Sequence, residues 1–323
     1  MDKHEIIELL RKGDYVSGAE LGRSLGVTRA AVSKAIAALK REGWAIDSVP
    51  NRGHRLLEEP DRLDRAAILA ALGEHLWTGT VEVLDVVDST NNYLKARGAA
   101  GAPQGTVAVA DCQTGGRGRL GRSFDSAAGA GVYLSVLLRP ACPPRSLMTL
   151  TAQAAAAARR AIRAVTGAEP GIKWVNDLVL NGKKLCGILT ELSIEAESGL
   201  VSYAVVGVGV NCNRPADSFP PELRETAGSL LSETGKRVDR NALAAALIRE
   251  LSALPKLDWR AEYRAACVNL GKEVQILAPG QSTRTGMALD VGPEAELIVQ
   301  TESGVEAVRS GEVSVRGLYG YVT

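Results

Sequence analysis

TVAVADCQTGGRGRLGR, residues 106–122, runs from a strand, Thr106 to Gln113, straight into a loop rich in glycine and arginine. Gly116, Gly118 and Gly121 match G-x-G-x-x-G, the spacing of a dinucleotide-binding turn and of a protein-kinase phosphate loop. Neither reading survives its neighbours. Ser126 to Gly131 is loop-like rather than helical, no acidic residue stands about 20 positions on, no HRD or DFG occurs elsewhere, and Walker A is absent. What remains is three arginines, Arg117, Arg119 and Arg122, among four glycines. Glycine lets backbone N–H groups approach a ligand, and arginine offers a planar fork to phosphate or carboxylate. Like charges this close repel unless an anion or several acids neutralise them. Only Asp111 and Asp125 are near in sequence. A multiply anionic ligand is the favoured reading; a solvated charged loop is the alternative.

Upstream, Val81 to Val87 reads as a strand ending at Asp88-Ser89-Thr90-Asn91-Asn92, a natural N-cap for a helix starting near Tyr93. Capping explains one of these residues; three polar side chains in a row at a strand end also suit a ligand. Downstream, Ile172 to Leu180 and Lys183 to Glu191 flank Asn181-Gly182, a hairpin signal of the I′ type. Lys183 and Lys184 leave that turn on opposite faces, so one reaches solvent and the other is free to enter a site. Val205 to Val210 is apolar, with Gly207 and Gly209 alternating before Asn211. Something lies against that face, either a ligand or closely packed protein. The Ala-rich run 152–164 reads as one long core helix.

The first sixty residues form a separate module. Ser17-Gly18-Ala19-Glu20 has the form of a capping box opening a helix through Ser24 or Leu25. After Gly26-Val27, Thr28 caps a second helix, Arg29 to about Glu42, with Val32, Ala35, Ile36 and Leu39 on one stripe and Arg29, Ser33, Lys34, Lys40 and Arg41 on the other side. Trp44 to Val49 and His54 to Leu57 read as strands joined by Pro50-Asn51-Arg52-Gly53. This predicts a winged helix-turn-helix that places Arg29, Ser33, Lys34, Lys40 and Arg52 against DNA. Residues 21–57 hold seven basic and two acidic side chains, which suits a phosphate backbone; a helical hairpin for protein contacts is the alternative. Pro60 and the DRLDR run mark the boundary.

Composition sets the outer limits. A chain of 323 residues predicts about two domains, with three small ones possible. Net charge is +1, so a globally basic nucleic-acid coat is excluded while a local patch is not. The charged start MDKHEIIELLRK reads as no signal peptide. The longest uncharged run, 198–213, is too short and polar to span a membrane. Five scattered cysteines (112, 142, 186, 212 and 267) without CxxC read as reduced thiols in a cytoplasm. Three histidines, His4, His54 and His75, neighbour no plausible nucleophile, which argues against histidine catalysis and a zinc site.

Together DSTN (88–91), QTGGRGRLGR (113–122), KWVNDL (173–178), GKKLCGIL (182–189) and GVGVN (207–211) resemble the biotin–protein ligases, and the winged helix resembles the kind that also represses biotin-synthesis genes. The resemblance covers nearly the whole chain. It implies an α+β protein: a winged helix-turn-helix at 1–60, a central mixed α/β ligase domain with a β-sheet at 61–268, and a small C-terminal β-barrel at 269–323. Strands read at Glu273–Leu277, Thr283–Leu289, Leu297–Gln300, Val305–Arg309 and Val313–Val315, punctuated by Pro279-Gly280 and Gly292-Pro293, suit that barrel.

The resemblance also implies the chemistry. Biotin and ATP, with Mg2+, give biotinyl-5′-AMP and pyrophosphate, and the biotinyl group passes to a lysine of the biotin carboxyl carrier protein of acetyl-CoA carboxylase. Bound biotinyl-AMP then favours a homodimer that binds a two-fold operator. Ser89, Thr90, Asn91, Gln113, Gly116, Gly118 and Arg117 would bind biotin or its adenylate, with Phe124, Gly187, Ile188 and Leu189 on the apolar side. Arg119, Arg122, Asn176, Lys184 and Asn211 would bind ATP, with Lys184, Arg119 and Asp177 catalytic and Asp177 the Mg2+ ligand. Leu120 stands where a basic residue is common, Phe124 replaces the usual Trp, and Val175 replaces the usual Pro, freeing the backbone before Asn176. No aromatic for adenine is visible around Ala227 to Leu230. Two rivals are a biotin-sensing repressor without turnover, against which Arg117, Arg119 and Lys184 argue, and a lipoate-type ligase, which has no need of Ser89, Thr90 and Gln113.

Overall fold

The computed structural model describes residues 3–41, 44–58, 61–73, 79–277, 282–309 and 314–317. Glu42, Pro60, His75, the Pro279-Gly280 turn and Val313 lie outside them. The chain divides into two compact units, Met1–Asp61 and Arg62–Thr323.

The first unit holds α1 (Lys3–Leu10), α2 (Gly18–Ser24), α3 (Arg29–Arg41), β1 (Ala45–Val49) and β2 (Gly53–Glu58). Ser17 Oγ accepts from the Glu20 amide at 3.1 Å, the forward half of the expected box, and Thr28 Oγ1 accepts from Ala31 N at 3.2 Å. The stripe Val32, Ala35, Ile36 and Leu39 is buried against Leu21, Ile46 and three residues of α1, Ile6, Ile7 and Leu10. That first helix was not anticipated, although its apolar residues recur at helical spacing beneath the charges. β1 and β2 pair antiparallel from Val49–Gly53 outward, leaving Arg52 at the tip.

The second unit begins with α4 (Arg65–Leu72), β3 (Val81–Val87), α5 (Thr90–Ala99), β4 (Val107–Gln113), β5 (Gly131–Leu138) and α6 (Leu150–Thr166). It continues with β6 (Gly171–Lys173), β7 (Asp177–Leu180), β8 (Lys183–Ile194), β9 (Val201–Asn211), α7 (Leu230–Thr234), α8 (Arg240–Leu251) and α9 (Arg260–Ala266). β10 (Glu273–Leu277), β11 (Arg284–Val291), β12 (Leu297–Thr301), β13 (Gly304–Val308) and β14 (Ser314–Gly317) close it. Seven strands form one mixed sheet in the order β3-β4-β5-β9-β8-β7-β6, with β3 and β4 parallel and every other pair antiparallel.

Two-residue alternation splits the strands between two cores. Val107, Val109, Leu134 and Val136 face the larger core under α6, whose run Ala154–Ala158 is fully buried and lets the helix lie close. Ala108, Leu137 and Val205 face the other way, against Leu94 of α5. The last five strands form an antiparallel sheet in the order β13-β12-β11-β10-β14. Its Val274, Ile276, Ala288, Leu297 and Val299 join the larger core. Pairing between β13 and β14, which would close a barrel, is absent among the described residues. Among these residues no helix is long and apolar enough to cross a membrane, and all five cysteines are free thiols.

Three local readings change. α5 starts at Thr90, three residues before Tyr93, and Ser89 at its N-cap makes no side-chain capping bond. The run 172–180 is two strands, because Trp174-Val175-Asn176 turns the chain so that β6 pairs antiparallel with β7. The Trp174–Val175 peptide is cis. The backbone before Asn176 is not freed by the missing proline: Trp174 N donates to Asn269 Oδ1 at 2.7 Å and Tyr263 OH to Val175 O at 3.1 Å.

One ion pair ties α8 to the sheet. The Arg240 side chain, 0% exposed, donates to Asp111 Oδ1 at 2.6 Å and to Gly131 O at 3.0 Å, while Asp111 Oδ2 accepts from Gly129 N at 3.2 Å. Taking the carboxylate from a buried guanidinium removes its charge compensation, so Asp111→Ala is predicted to lower stability by about 3–5 kcal/mol, read from urea unfolding.

Candidate functional site

A cavity of about 540 Å³ opens on the central sheet, floored by β8 and β9. Two cross-strand rows make the floor. Tyr133, Gly209 and Gly187 lie side by side on β5, β9 and β8, and Ser135, Gly207 and Leu189 form the next row. What lies against the glycines is protein. A Cβ on Gly209 would come within 2.8 Å of the Phe124 ring, and one on Gly207 within 2.2 Å of Asn91 Oδ1. Phe124 therefore lies on a trough, edge-on to Tyr133 with ring centroids 6.3 Å apart.

At one end, Ser89, Thr90, Asn91 and Gln113 line the cavity. Gln113 Oε1 accepts from Thr90 N at 2.9 Å and Thr90 Oγ1 at 3.1 Å, and Gln113 Nε2 donates to Ser126 Oγ at 2.8 Å. Ser135, fully buried, shares its proton between Asn91 Oδ1 at 2.7 Å and Thr90 Oγ1 at 2.8 Å. Asn91 Nδ2 donates to Leu189 O at 3.2 Å and Glu191 Oε2 at 2.9 Å, so this amide holds the wall together. Gly116 is not in the lining. It sits behind Phe124, where a Cβ would meet Phe124 O at 2.2 Å.

Cations line the same cavity, with Arg117 beside the polar end. Arg117, Arg119, Arg122, Lys173 and Lys184 line the cavity against two carboxylates, Asp125 and Asp177. Lys184 Nζ is 2.7 Å from Asp177 Oδ1. Arg119 donates to Asn176 Oδ1 at 3.3 Å, and Asn176 Nδ2 donates to Ile188 O at 3.0 Å. Burial lowers the Arg119 guanidinium from its ordinary value, with Asp177 opposing and Arg122 adding to the shift. The acids near the loop in sequence are engaged elsewhere: Asp111 with Arg240, and Asp125 with Arg214 at 2.7 Å. Arg117 is met instead by Glu191 at 3.3 Å, from 74 positions on in the chain.

A third wall holds Asn211, Phe219, Leu223, Thr226 and Ala227. Asn211 Nδ2 donates to Gly228 O at 2.9 Å, and the Lys184 amide donates to Thr226 O at 2.8 Å. Phe219 escaped the sequence reading. It lies eight residues from the nearest motif, and its signal was an aromatic ahead of two prolines. Arg214 covers it at 4.3 Å from the ring centroid. Ser135, a lone hydroxyl in VYLSVLL, was missed for the same reason: only the paired strands bring it to Asn91.

In the first unit, Arg29, Ser33, Lys34, Lys40 and Arg52 are all exposed. Arg52 and Arg55 stack on Tyr15 at 4.4 and 4.8 Å, and Tyr15 OH donates to Asp47. Arg55, outside the expected set, shares that ring with Arg52. Burial, then the charges of Lys40 and Arg29, lowers the His54 imidazole, which places both cations near the wing.

Asn91 is fixed by its own hydrogen bonds and cannot retreat from a new methyl group. Gly207→Ala is therefore predicted to lower stability by about 1–3 kcal/mol, visible as a lower thermal midpoint.

Known proteins match the sequence over nearly the whole chain. The model of the biotin/lipoate A/B protein ligase family matches residues 83–211, that of an HTH domain residues 3–55, and that of the biotin protein ligase C-terminal domain residues 270–316. A bifunctional ligase/repressor BirA of Bacillus spizizenii is 32% identical over 97% of this chain and 98% of its own. Its Escherichia coli counterpart is 33% identical over 97% and 96%. The structure of an Aquifex aeolicus biotin protein ligase in complex with biotin and ATP superposes with a TM-score of 0.61 at 30% identity, covering 74% of this chain and 99% of that one.

Proposed function

Because the chain belongs to the biotin protein ligase family, in its bifunctional ligase/repressor form, we propose that it joins biotin to ATP and then to a lysine of the biotin carboxyl carrier protein of acetyl-CoA carboxylase. We assign the winged helix to 1–60, the ligase core to 61–268 and the C-terminal sheet to 269–323. The observation that carries this reading is one cavity lined by uncharged polar groups, an apolar glycine trough and five cations.

In this reading Ser89, whose hydroxyl is not used for capping, and the second N–H of Gln113 meet the ureido ring, while Asn91 orients Thr90 and the floor. The apolar rings lie along Phe124 and the Gly187–Gly209 trough. Biotin's carboxylate then reaches Lys184, and ATP lies toward Asn211 and Phe219. A carboxylate oxygen forms a bond to the α-phosphorus as the bond to pyrophosphate breaks. Lys184 and Arg119 offset the negative charge that two anions bring together. The acceptor amine next attacks the acyl carbon, AMP leaves, and the amine loses a proton.

Asp177 supplies a single carboxylate beside this point, and no group of three or more potential ligands occurs among the described residues. That donor set fits Mg2+, which takes one or two carboxylates with substrate phosphates and lessens their charge when bound. The same chain, with biotinyl-AMP bound, pairs as a homodimer through the central sheet, where β3 is an edge strand with Val86 exposed, and binds operator DNA in the cytoplasm.

With biotin, ATP and Mg2+ but no acceptor, pyrophosphate release should show a burst of about one equivalent per chain. Lys184→Ala should slow it by about 100-fold or more. No burst from folded, biotin-binding protein sinks the ligase reading. For DNA, Lys34→Ala and Arg52→Ala should each lower the slope of log affinity against log salt by about 0.9 on a random 40-base-pair duplex. Unchanged slopes would remove these two side chains from the interface.

A further inference from the structure

We propose that Glu191 is a positioning residue that latches the arginine–glycine loop over the cavity by holding Arg117, and that Asn91 ties this latch to the polar end of the site. The proposal deepens the ligase reading and rests on it only for its second readout below.

Glu191 lies on β8 beyond the last residue paired with β7, with 20% of its side chain exposed. One oxygen, Oε2, accepts from Asn91 Nδ2 at 2.9 Å. The other meets Lys95 Nζ at 2.9 Å and the Arg117 guanidinium at 3.3 Å. Arg117 also donates to Asn92 Oδ1 at 2.8 Å, and Asn92 Nδ2 donates to Asp88 Oδ2 at 2.8 Å. An isolated, half-exposed ion pair contributes little. Here two cations and a buried amide share one carboxylate, and Asn91 and Lys95, one turn apart on α5, both reach it. Burial raises the Glu191 carboxyl, but the bonds from Asn91 and Lys95 and the charge of Arg117 outweigh it and hold the group below the usual range. It therefore stays an anion wherever the protein is folded near neutral pH.

Arg117 stands at the start of the loop. Beyond it, Gly118 N donates to Arg122 O at 2.7 Å, and Phe124 N donates to Gly116 O at 2.9 Å. Leu120 and Gly121 turn the chain between them in the left-handed region. Those bonds make residues 116–124 one small closed unit, so fixing Arg117 fixes where Arg119 and Arg122 enter the cavity. The same carboxylate holds Asn91, which packs on Gly207 and shares Ser135 with Thr90. A ligand that settles the polar end thereby settles the anchor of the loop.

Trypsin reads the latch directly, since it cuts after Arg117, Arg119 and Arg122. In full-length protein without ligand, Glu191→Gln should speed cleavage within this loop by about fivefold, leaving the thermal midpoint and the remaining cleavage sites near wild type. Asn92→Ala, which removes the other acceptor of Arg117 without touching Glu191, should speed it as well. Lys95→Met, which removes one cation from Glu191 but spares the Arg117 contact, should speed it less than Glu191→Gln does. The second readout is the release of preformed biotinyl-adenylate, which Glu191→Gln should accelerate by a similar factor while the association rate of biotin is kept. Loop cleavage at the wild-type rate in Glu191→Gln and Asn92→Ala would overturn the latch, as would equal acceleration by Lys95→Met. If the variants open the loop but wild-type protein retains no adenylate, the latch stands and the ligase reading fails.

Discussion

Everything at the site depends on how closely two side chains approach β8 and β9. Gly187 and Gly209 face one another across the ladder, and Gly207 faces Leu189 one row on. The missing side chains leave a trough one methyl group deep. Phe124 fills it at one row and Asn91 at the next. An interior packed to this density transmits displacement rather than absorbing it. Asn91 sets Thr90 through Ser135, and Thr90 sets Gln113. Phe124 meanwhile closes the turn that begins at Gly116. The polar end, the apolar wall and the cationic loop are thus levelled against one surface, which is why one cavity can present three chemistries.

Much of this was legible because it is local. Asn181-Gly182 announces the hairpin that puts Lys184 beside Asp177, and the stripe from Val32 to Leu39 announces the helix that carries Arg29 and Lys34. Alternating glycines announced that something rests on β9, but not what. The choice between ligand and protein needed Phe124 and Asn91 placed in space. The start of α5 was misjudged because the DSTN run looks like caps. In the structure Thr90 and Asn91 are already helical, and their side chains bond to β4, β5 and β8 instead.

Charge neutralisation was the least legible feature. Asp111 and Asp125 stand nearest the three arginines in the chain, yet they pair with Arg240 and Arg214. The acids that matter, Glu191 and Asp177, come from β8 and β7. Coulomb's law counts ångströms, and sequence separation is no guide to them once a mixed sheet folds back on itself. Phe219 and Ser135 share that character: each is unremarkable in its own segment and is brought to the site only by neighbours distant in sequence.

Trp174 joins parts of the second unit that look separable on paper. Its indole N–H donates to Ala295 O in the loop before β12, at 2.8 Å, while the residue lines the cavity with Asn176 and Asp177. Its amide is held by Asn269, and the carbonyl after it by Tyr263. With Val274, Ile276 and Leu297 in the same core as α6, the C-terminal sheet is welded to the segment that carries the acidic partner of Lys184. It is part of the bearing on which that segment is mounted rather than a detachable cover. A macromolecule pressing on this sheet would pull on the corner that holds Lys184 and Asp177 through a rigid coupling, and a chain cut short before residue 270 would lose the mounting along with the sheet.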